Sequence, residues 1–310
     1  MDGSEQNMGQ SDQRKVRFPS RVGIWTTTLD LVDPGEAREI ATEIDELGYG
    51  SIFFGEAYGR EAFTNASLLL DATENLVVTT AIANIYARDA MAANAASRTL
   101  DAAFPNRFIM GLGVSHMPLV ERFRGHRYES PVATMSDYLE KVDSATFLAS
   151  GLKTRPKRVI AALGPKMLDL ARSQADGSHP YLVTPEHTEM ARSTLGPDHM
   201  LLVEQAVALT DDEDDFLARA HAHLEFYTGL PNYRNNWTRL GFEESDYVRG
   251  GSRRLKDALV VRGGVDAAVR RIREHLDAGA DHVCVQFIGR DGQRPPVEDW
   301  RAVAPELIGL

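Results

Sequence analysis

Three side chains stand where this sequence could do proton chemistry: His116, His179 and Glu56. A histidine titrates near neutral pH and serves as acid or base, so His116 is the first choice for moving a proton and Glu56 the second. Each has a plainer reading beside it. A lone histidine is more often a packing residue, and Glu56 could be an ion-pair partner of Arg60 on the rim of a site. Gly111, Leu112 and Gly113 leave the backbone bare enough to approach a flat ring, or simply make a tight strand exit. They lack the third glycine of a dinucleotide fingerprint. Leu163, Gly164 and Pro165 present backbone N–H groups at a helix start, which suits a phosphate, although Gly-Pro is also an everyday turn. His221 and His223 are two apart on a helix and point away from each other, which disfavours a shared metal. Arg253, Arg254 and Lys256 could reach an anionic tail or lie in solvent. Cys284 is the only cysteine, which excludes an intrachain disulfide and a cysteine-based zinc site.

What must position these residues is an alternation of strand-length apolar runs with longer stretches of helical period, the pattern of a parallel sheet. Strands are expected at Val22 to Thr27, Ser51 to Glu56, Leu76 to Ile85, Phe108 to Ser115, Arg158 to Leu163, Ser178 to Val183, Met200 to Leu209 and His282 to Ile288. The first helix opens with Asp33 as N-cap and Pro34 behind it, and it turns Ala37, Ile40, Ala41, Ile44 and Leu47 to one side. A helix from about Ala90 to Phe104 is expected to bury Ala92, Ala95, Ala96, Thr99, Leu100 and Ala103. Ser130 is expected to cap the helix after a long connection from His116, and Thr210 with Glu213 to form a capping box. The last strand follows a helix with Val265, Ala268, Val269, Ile272 and Leu276 on one face. Eight such units without a dinucleotide fingerprint favour closure into a single (β/α)8 barrel over an open doubly wound sheet. Insertions fall at about 116–130 and 228–256. In such a barrel the strand carboxyl ends form the catalytic face. Trp25, Glu56, Ala81 to Tyr86, Gly113 to His116, Ala162 to Lys166 and His179 to Thr184 fall there.

The formal net charge of −11 argues against nucleic acid as a partner, since phosphate backbones are met by clustered Lys and Arg. Residues 1–20 are polar, with no signal-peptide core or membrane span, and are expected to form a disordered tail ahead of a barrel over 21–310. With the single cysteine this points to a cytoplasmic protein.

Four stretches in register resemble the luciferase-like superfamily of barrels, and within it the oxidoreductases that use the deazaflavin coenzyme F420. They are TTAIANIYARD (Thr79 to Asp89), PNRFIMGLGVSH (Pro105 to His116), AALGPK (Ala161 to Lys166) and DAGADHV (Asp277 to Val283). The resemblance implies a cofactor at the carboxyl end of the barrel, its ring backed by a bulge in strand three with a non-prolyl cis peptide near Thr80, Ala81 and Ile82. It implies further contacts from Asn84, from Gly113, Val114 and Ser115 along the ring, and from Ala162, Leu163 and Gly164 at the phosphate, with His179 and Tyr181 ordering the pocket. Sugar-phosphate dehydrogenases of this group carry an Asp-His pair after strand two and a Glu after strand four. Here Glu56, Ala57 and His116 occupy those places, so their hydride-transfer base is missing. A phosphate-holding Lys after strand six is replaced in the region of Glu186 and His187, which makes sugar phosphate a poor substrate expectation.

The expected activity is therefore hydride transfer between F420 and a small organic substrate, with no metal. An FMN-dependent monooxygenase on the same barrel is the alternative, and a non-catalytic flavin-binding barrel the alternative of another class. A homodimer is expected because symmetric dimers are the commonest soluble assembly.

Overall fold

A computed structural model describes residues 16–150, 155–290 and 292–310. Its strands are β1 (Val22–Trp25), β2 (Ser51–Phe54), β3 (Val77–Thr80), β4 (Ala83–Asn84), β5 (Phe108–Gly113), β6 (Arg158–Ile160), β7 (Gly177–Ser178), β8 (Met200–Leu209), β9 (Val260–Gly263) and β10 (His282–Phe287). Every ladder is parallel, and β10 pairs with both β1 and β8, which closes the barrel. β3 and β4 together occupy one barrel position, interrupted by a bulge. β9 pairs with the far half of β8 and was not expected from the sequence.

The helices are α1 (Pro34–Glu46), α2 (Ala62–Asp71), α3 (Ala90–Ala103), α4 (Pro131–Ser144), α5 (Pro165–Gln174), α6 (Pro185–Leu195), α7 (Glu213–Leu224), α8 (Pro231–Arg239), α9 (Arg253–Leu259), α10 (Val265–Asp277) and α11 (Val297–Leu307). Asp33 caps α1 as expected, accepting from Gly35 N and Glu36 N. Two other caps differ. Ser130 is left-handed and makes no side-chain cap bond. On α7 the cap is Asp212, which accepts from Asp215 N, while Thr210 Oγ1 accepts from Asp212 N. The buried face of α3 is also rotated: Ala93, Asn94, Ser97 and Leu100 are buried, whereas Ala92 and Thr99 are exposed. A helix with alanines on nearly every side has no strong apolar stripe, so spacing alone fixed its face poorly.

Two layers of apolar packing result. Most of the core lies between strands and helices, including Ile40, Ile44, Ile52, Val78, Leu139, Val203 and Ile272. A smaller cluster of Trp25, Phe53, Val77, Ile109, Val159, Leu202 and Cys284 draws on strand residues without any helix and fills the barrel interior. Of the stretch read as a tail, residues 1–15 lie outside the described residues, but Val16 and Phe18 pack against this interior cluster. Phe18 stacks on His282 with ring centroids 4.0 Å apart, so the ordered barrel starts before residue 21. The aperiodic stretch 228–256 contains α8 and part of α9 and has a core of its own, in which Tyr233, Trp237, Phe242 and Tyr247 pack on Phe216 and Leu224 of α7. No helix among the described residues is long and apolar enough to cross a membrane.

Candidate active site

A cavity of about 770 Å³ opens at the carboxyl ends of the strands. Its first wall is the bulge. β3 stops at Thr80, the Ala81–Ile82 peptide is cis, and β4 resumes pairing one residue later. Ala81 N donates to Phe54 O and Glu56 N to Ile82 O, so β2 holds both sides of the bulge. The two glycines of β5 serve this wall. A Cβ on Gly111 would stand 1.8 Å from the Thr80 carbonyl oxygen, and one on Gly113 would stand 2.4 Å from Ile82 Cγ1. Their first task is to admit the protein's own bulge, which then faces the cavity through Ala81 and Ile82.

His116 follows at the exit of β5, after Ser115 in the left-handed region at φ 58°. Its ring lies among Phe226, Tyr227 and Tyr233, with centroids 5.7, 6.5 and 5.8 Å away. Burial in this aromatic setting pushes its pKa down to about 4, so it is a neutral imidazole at pH 7.

The loop after β6 carries Leu163 and Gly164 into α5, with Pro165 at the first helical position. His187 Nε2 donates to the Leu163 carbonyl at 2.9 Å and fixes the loop from behind. Burial and the Arg239 guanidinium keep His187 neutral, its pKa near 4 despite that hydrogen bond. Arg239, at the end of α8, reaches the same loop: a Cβ on Gly164 would meet its Nη2 at 3.1 Å. Lys166 lines the cavity beside it. Bare backbone N–H groups at a helix start together with two cationic side chains form a donor set for an anion.

At the cavity floor His179 is almost wholly buried. Its Nδ1 bonds to the Leu202 carbonyl at 2.7 Å, an acceptor only, so the proton sits on Nδ1 and Nε2 keeps a lone pair with no partner. Trp25 Nε1 is likewise buried without a partner. Tyr181 donates to Gln286 Oε1 at 2.8 Å and accepts from Tyr227 at 3.4 Å. Leu182, left-handed at φ 54°, is held by Glu204 Oε2, which accepts its N–H at 2.9 Å.

The expected site residues divide as follows. Glu56, Ala81, Ile82, Gly113, Val114, Ser115, His116, Ala162, Leu163, Gly164, His179 and Tyr181 all line the cavity. Thr80 and Asn84 do not. Thr80 Oγ1 bridges both backbone atoms of Gly111, and Asn84 supports the loop ahead through Tyr86 N. Glu56 lines the cavity but is not a free base. It is ion-paired with Arg88, rather than with Arg60, and accepts from Asn84 N at 2.8 Å. Arg60 instead donates to the Leu29 and Val32 carbonyls. Arg253, Arg254 and Lys256 are committed to Asp257 and Glu213, to Asp246 and to the Gly251 carbonyl, away from the cavity. His221 is exposed while His223 turns toward Tyr181 and Tyr227, and no group of three metal-ligating side chains occurs among the described residues. Sequence reasoning missed Phe226, Tyr227, Tyr233 and Arg239, all in or beside the aperiodic stretch. Its richness in Tyr and Arg, unusual for a solvated insertion, was the available signal.

Comparison with known proteins now bears on this geometry. The model of the luciferase-like monooxygenase family matches residues 15–269, and the chain belongs to that family. It is therefore an oxidoreductase, which sets the non-catalytic barrel aside. A Mycobacterium tuberculosis protein assigned as a coenzyme F420-dependent oxidoreductase is 25% identical over 270 residues, covering 74% of this chain and 75% of that one. Among solved structures, an F420-dependent secondary alcohol dehydrogenase bound to an F420-acetone adduct superposes with a TM-score of 0.70 at 15% identity, covering 94% of this chain and 98% of its own. The FMN-bound oxygenating constituent of 3,6-diketocamphane monooxygenase from Pseudomonas putida superposes at 0.67 and 11%, with 94% and 98% covered. At such identities the likeness is one of fold.

Proposed function

We propose that this protein is an F420-dependent oxidoreductase that moves a hydride between the deazaflavin and a small organic substrate. The observation that carries the reading is a single cavity onto which the β3–β4 bulge, the Gly164 loop with Arg239 and Lys166, and the neutral His116 all open. An apolar chamber with an anion-holding corner suits a ring-bearing, phosphorylated cofactor. Ala81, Ile82, Gly113 and Val114 would back the ring, and the Gly164 loop with Arg239 would hold the phosphate. When bound, the deazaflavin supplies hydride donation and acceptance. The protein supplies orientation and a proton path. His116, neutral at every pH above about 5, takes a hydroxyl proton on its free ring nitrogen or returns it in the reverse direction. The F420-dependent relative supports this cofactor over FMN, and the FMN-bound neighbour keeps FMN as the second reading.

Fluorescence quenching on titration with F420 and, separately, with FMN tests the cofactor. F420 is expected to bind more tightly, and Arg239→Ala to weaken it roughly 10-fold by removing one charge-assisted contact. Preference for FMN would move the monooxygenase to first place. His116→Ala is expected to leave cofactor quenching unchanged and to lower turnover roughly 100-fold. Unchanged turnover removes His116 from the proton path.

A further inference from the structure

Residues 179–182, at the cavity floor, are held from two sides after β7 has ended. β7 stops at Ser178, and Pro180, which has no N–H, cannot extend its ladder. β8 takes over from one side. The Leu202 carbonyl bonds to His179 Nδ1, the Glu204 N–H donates to the Pro180 carbonyl at 3.3 Å, and the Glu204 carboxyl accepts from Leu182 N at 2.9 Å. From the other side the Trp237 indole, wholly buried in α8, donates to the Leu182 carbonyl at 3.2 Å. Side chains thus hold both the N–H and the C=O of Leu182, whose φ of 54° is a left-handed conformation that a residue with a Cβ adopts only at a free-energy cost. At this turn Tyr181 faces the cavity, while Leu182 joins the apolar core of the 228–256 insertion. Tyr181 in turn packs on Trp25 at 5.0 Å and accepts from Tyr227.

We infer that Glu204 and Trp237 are positioning residues that clamp the Leu182 peptide, set Tyr181 in the floor of the cavity, and tie the seating of the 228–256 insertion to the shape of the site. A role in packing alone does not account for Glu204. An apolar side chain would fill its place without burying a carboxyl whose second oxygen has no partner. Glu204 points into the barrel, on the same face of β8 as Leu202 of the interior cluster, and so lies beneath the segment that it holds. The titratable groups that face it are the phenols of Tyr181, Tyr227 and Tyr233 and the Cys284 thiol. Burial holds all four above their ordinary values, so none of them is charged as Glu204 ionises around pH 8, and no cation is among them. Ionisation places an uncompensated charge under the floor, and the segment must then shift or admit water. The clamp is the same whichever cofactor the cavity takes.

Fluorine NMR of the full chain labelled with fluorotryptophan tests it, because the three tryptophans stand at three informative places: Trp25 on Tyr181, Trp237 on Leu182, and Trp300 in the outer core on α11. In the parent the Trp25 and Trp237 resonances are expected to shift together with a midpoint near pH 8, and Trp300 to stay in place. Glu204→Gln keeps an acceptor for Leu182 N and should abolish the titration, leaving both resonances near their low-pH positions. Glu204→Leu has no acceptor and should displace both at every pH. It should also weaken whichever of F420 and FMN quenches in the titration above by roughly 5-fold, and Glu204→Gln should recover that affinity. Trp237→Phe removes only the indole donor and should displace the Trp25 resonance. Movement of Trp237 without Trp25, a shift of all three alike, or no titration in this range overturns the inference. So does a folded Glu204→Leu chain that binds the cofactor as the parent does. The parent titration stands even if Glu204→Leu fails to fold, and failure of both cofactors to quench strikes the cofactor reading alone.

Discussion

Two glutamates border the same active-site face and live in opposite circumstances. Glu56, at the exit of β2, has both carboxylate oxygens engaged, by Arg88, Asn84 N and Ala62 N. Glu204, inside β8, is 1% exposed and has one oxygen on Leu182 N and the other on nothing. Burial pushes its pKa up to about 8, with the Leu182 N–H pulling only partly back. One carboxylate has been given a counter-ion and the other has not, so the first is an ion-paired structural brace and the second is a neutral acid at pH 7. The brace holds the bulge side of the cavity, because Glu56 and Ile82 meet through backbone and Asn84. The acid holds the opposite side, since Leu182 follows directly on Tyr181.

The largest way to break this contrast is to take away the counter-ion. Arg88→Met leaves Glu56 buried and uncompensated, and the loss of stability is expected to be about 3 to 5 kcal/mol in urea unfolding. Adding Glu56→Gln to that variant should recover much of it, because the orphaned charge is gone. A loss below about 1 kcal/mol in the single variant would show that water already reaches the pair.

Glu204 gives the next effect, and its sign is set by the raised pKa. The folded chain holds this proton up to about pH 8, whereas an unfolded glutamate releases it near its ordinary value of 4.5. Its stabilising contribution is therefore complete below about pH 4.5 and is lost progressively as pH rises to about 8. Glu204→Gln keeps an acceptor for Leu182 N and cannot titrate. Thermal unfolding across this window should show the slope of the parent reduced by up to about 1 kcal/mol per pH unit, with the variant the more stable at pH 8. Parallel curves would mean that Glu204 is solvated in solution.

The same pair of residues shows what was legible in the sequence. Glu56 could be picked out because a charged residue at a strand exit of a barrel falls on the catalytic face, but its partner could not, since Arg88 lies 32 positions away across the bulge. Glu204 left a signal that spacing arguments passed over: a carboxylate followed by an amide in the middle of the apolar run MLLVEQAVAL. Seven of the eight barrel strands were legible because strands buried on both faces stay apolar over several residues, whereas the strand expected at Ser178 to Val183 is in fact Gly177–Ser178, and residues 179–184 form the loop that leads into the next helix. The cis peptide at Ala81–Ile82 was expected from family resemblance alone, and no residue type there demands it. The aromatic side chains around His116 were the least legible part. They come from α8 and the turn before it, where Tyr227 and Tyr233 belong to no amphipathic repeat, and only the path of the chain over the barrel mouth brings them to His116 and Arg239 to Gly164.

The smallest predicted effect separates the two candidates for the proton path. Glu56→Gln keeps an oxygen for Asn84 N and leaves Arg88 its second partner, Glu61, at 2.7 Å. The cost in stability should be about 1 to 2 kcal/mol, that of a charge-assisted hydrogen bond made neutral. Turnover with bound cofactor should stay within about 5-fold of the parent, because a carboxylate held by a guanidinium has no free lone pair aimed at substrate. The comparison with His116→Ala is the decisive one, since both residues line the same cavity and both variants can be checked for unchanged cofactor quenching. A fall of roughly 100-fold in Glu56→Gln, with His116→Ala near normal, would exchange the roles assigned here. The proton would then have to reach Glu56 by breaking its pair with Arg88 during turnover.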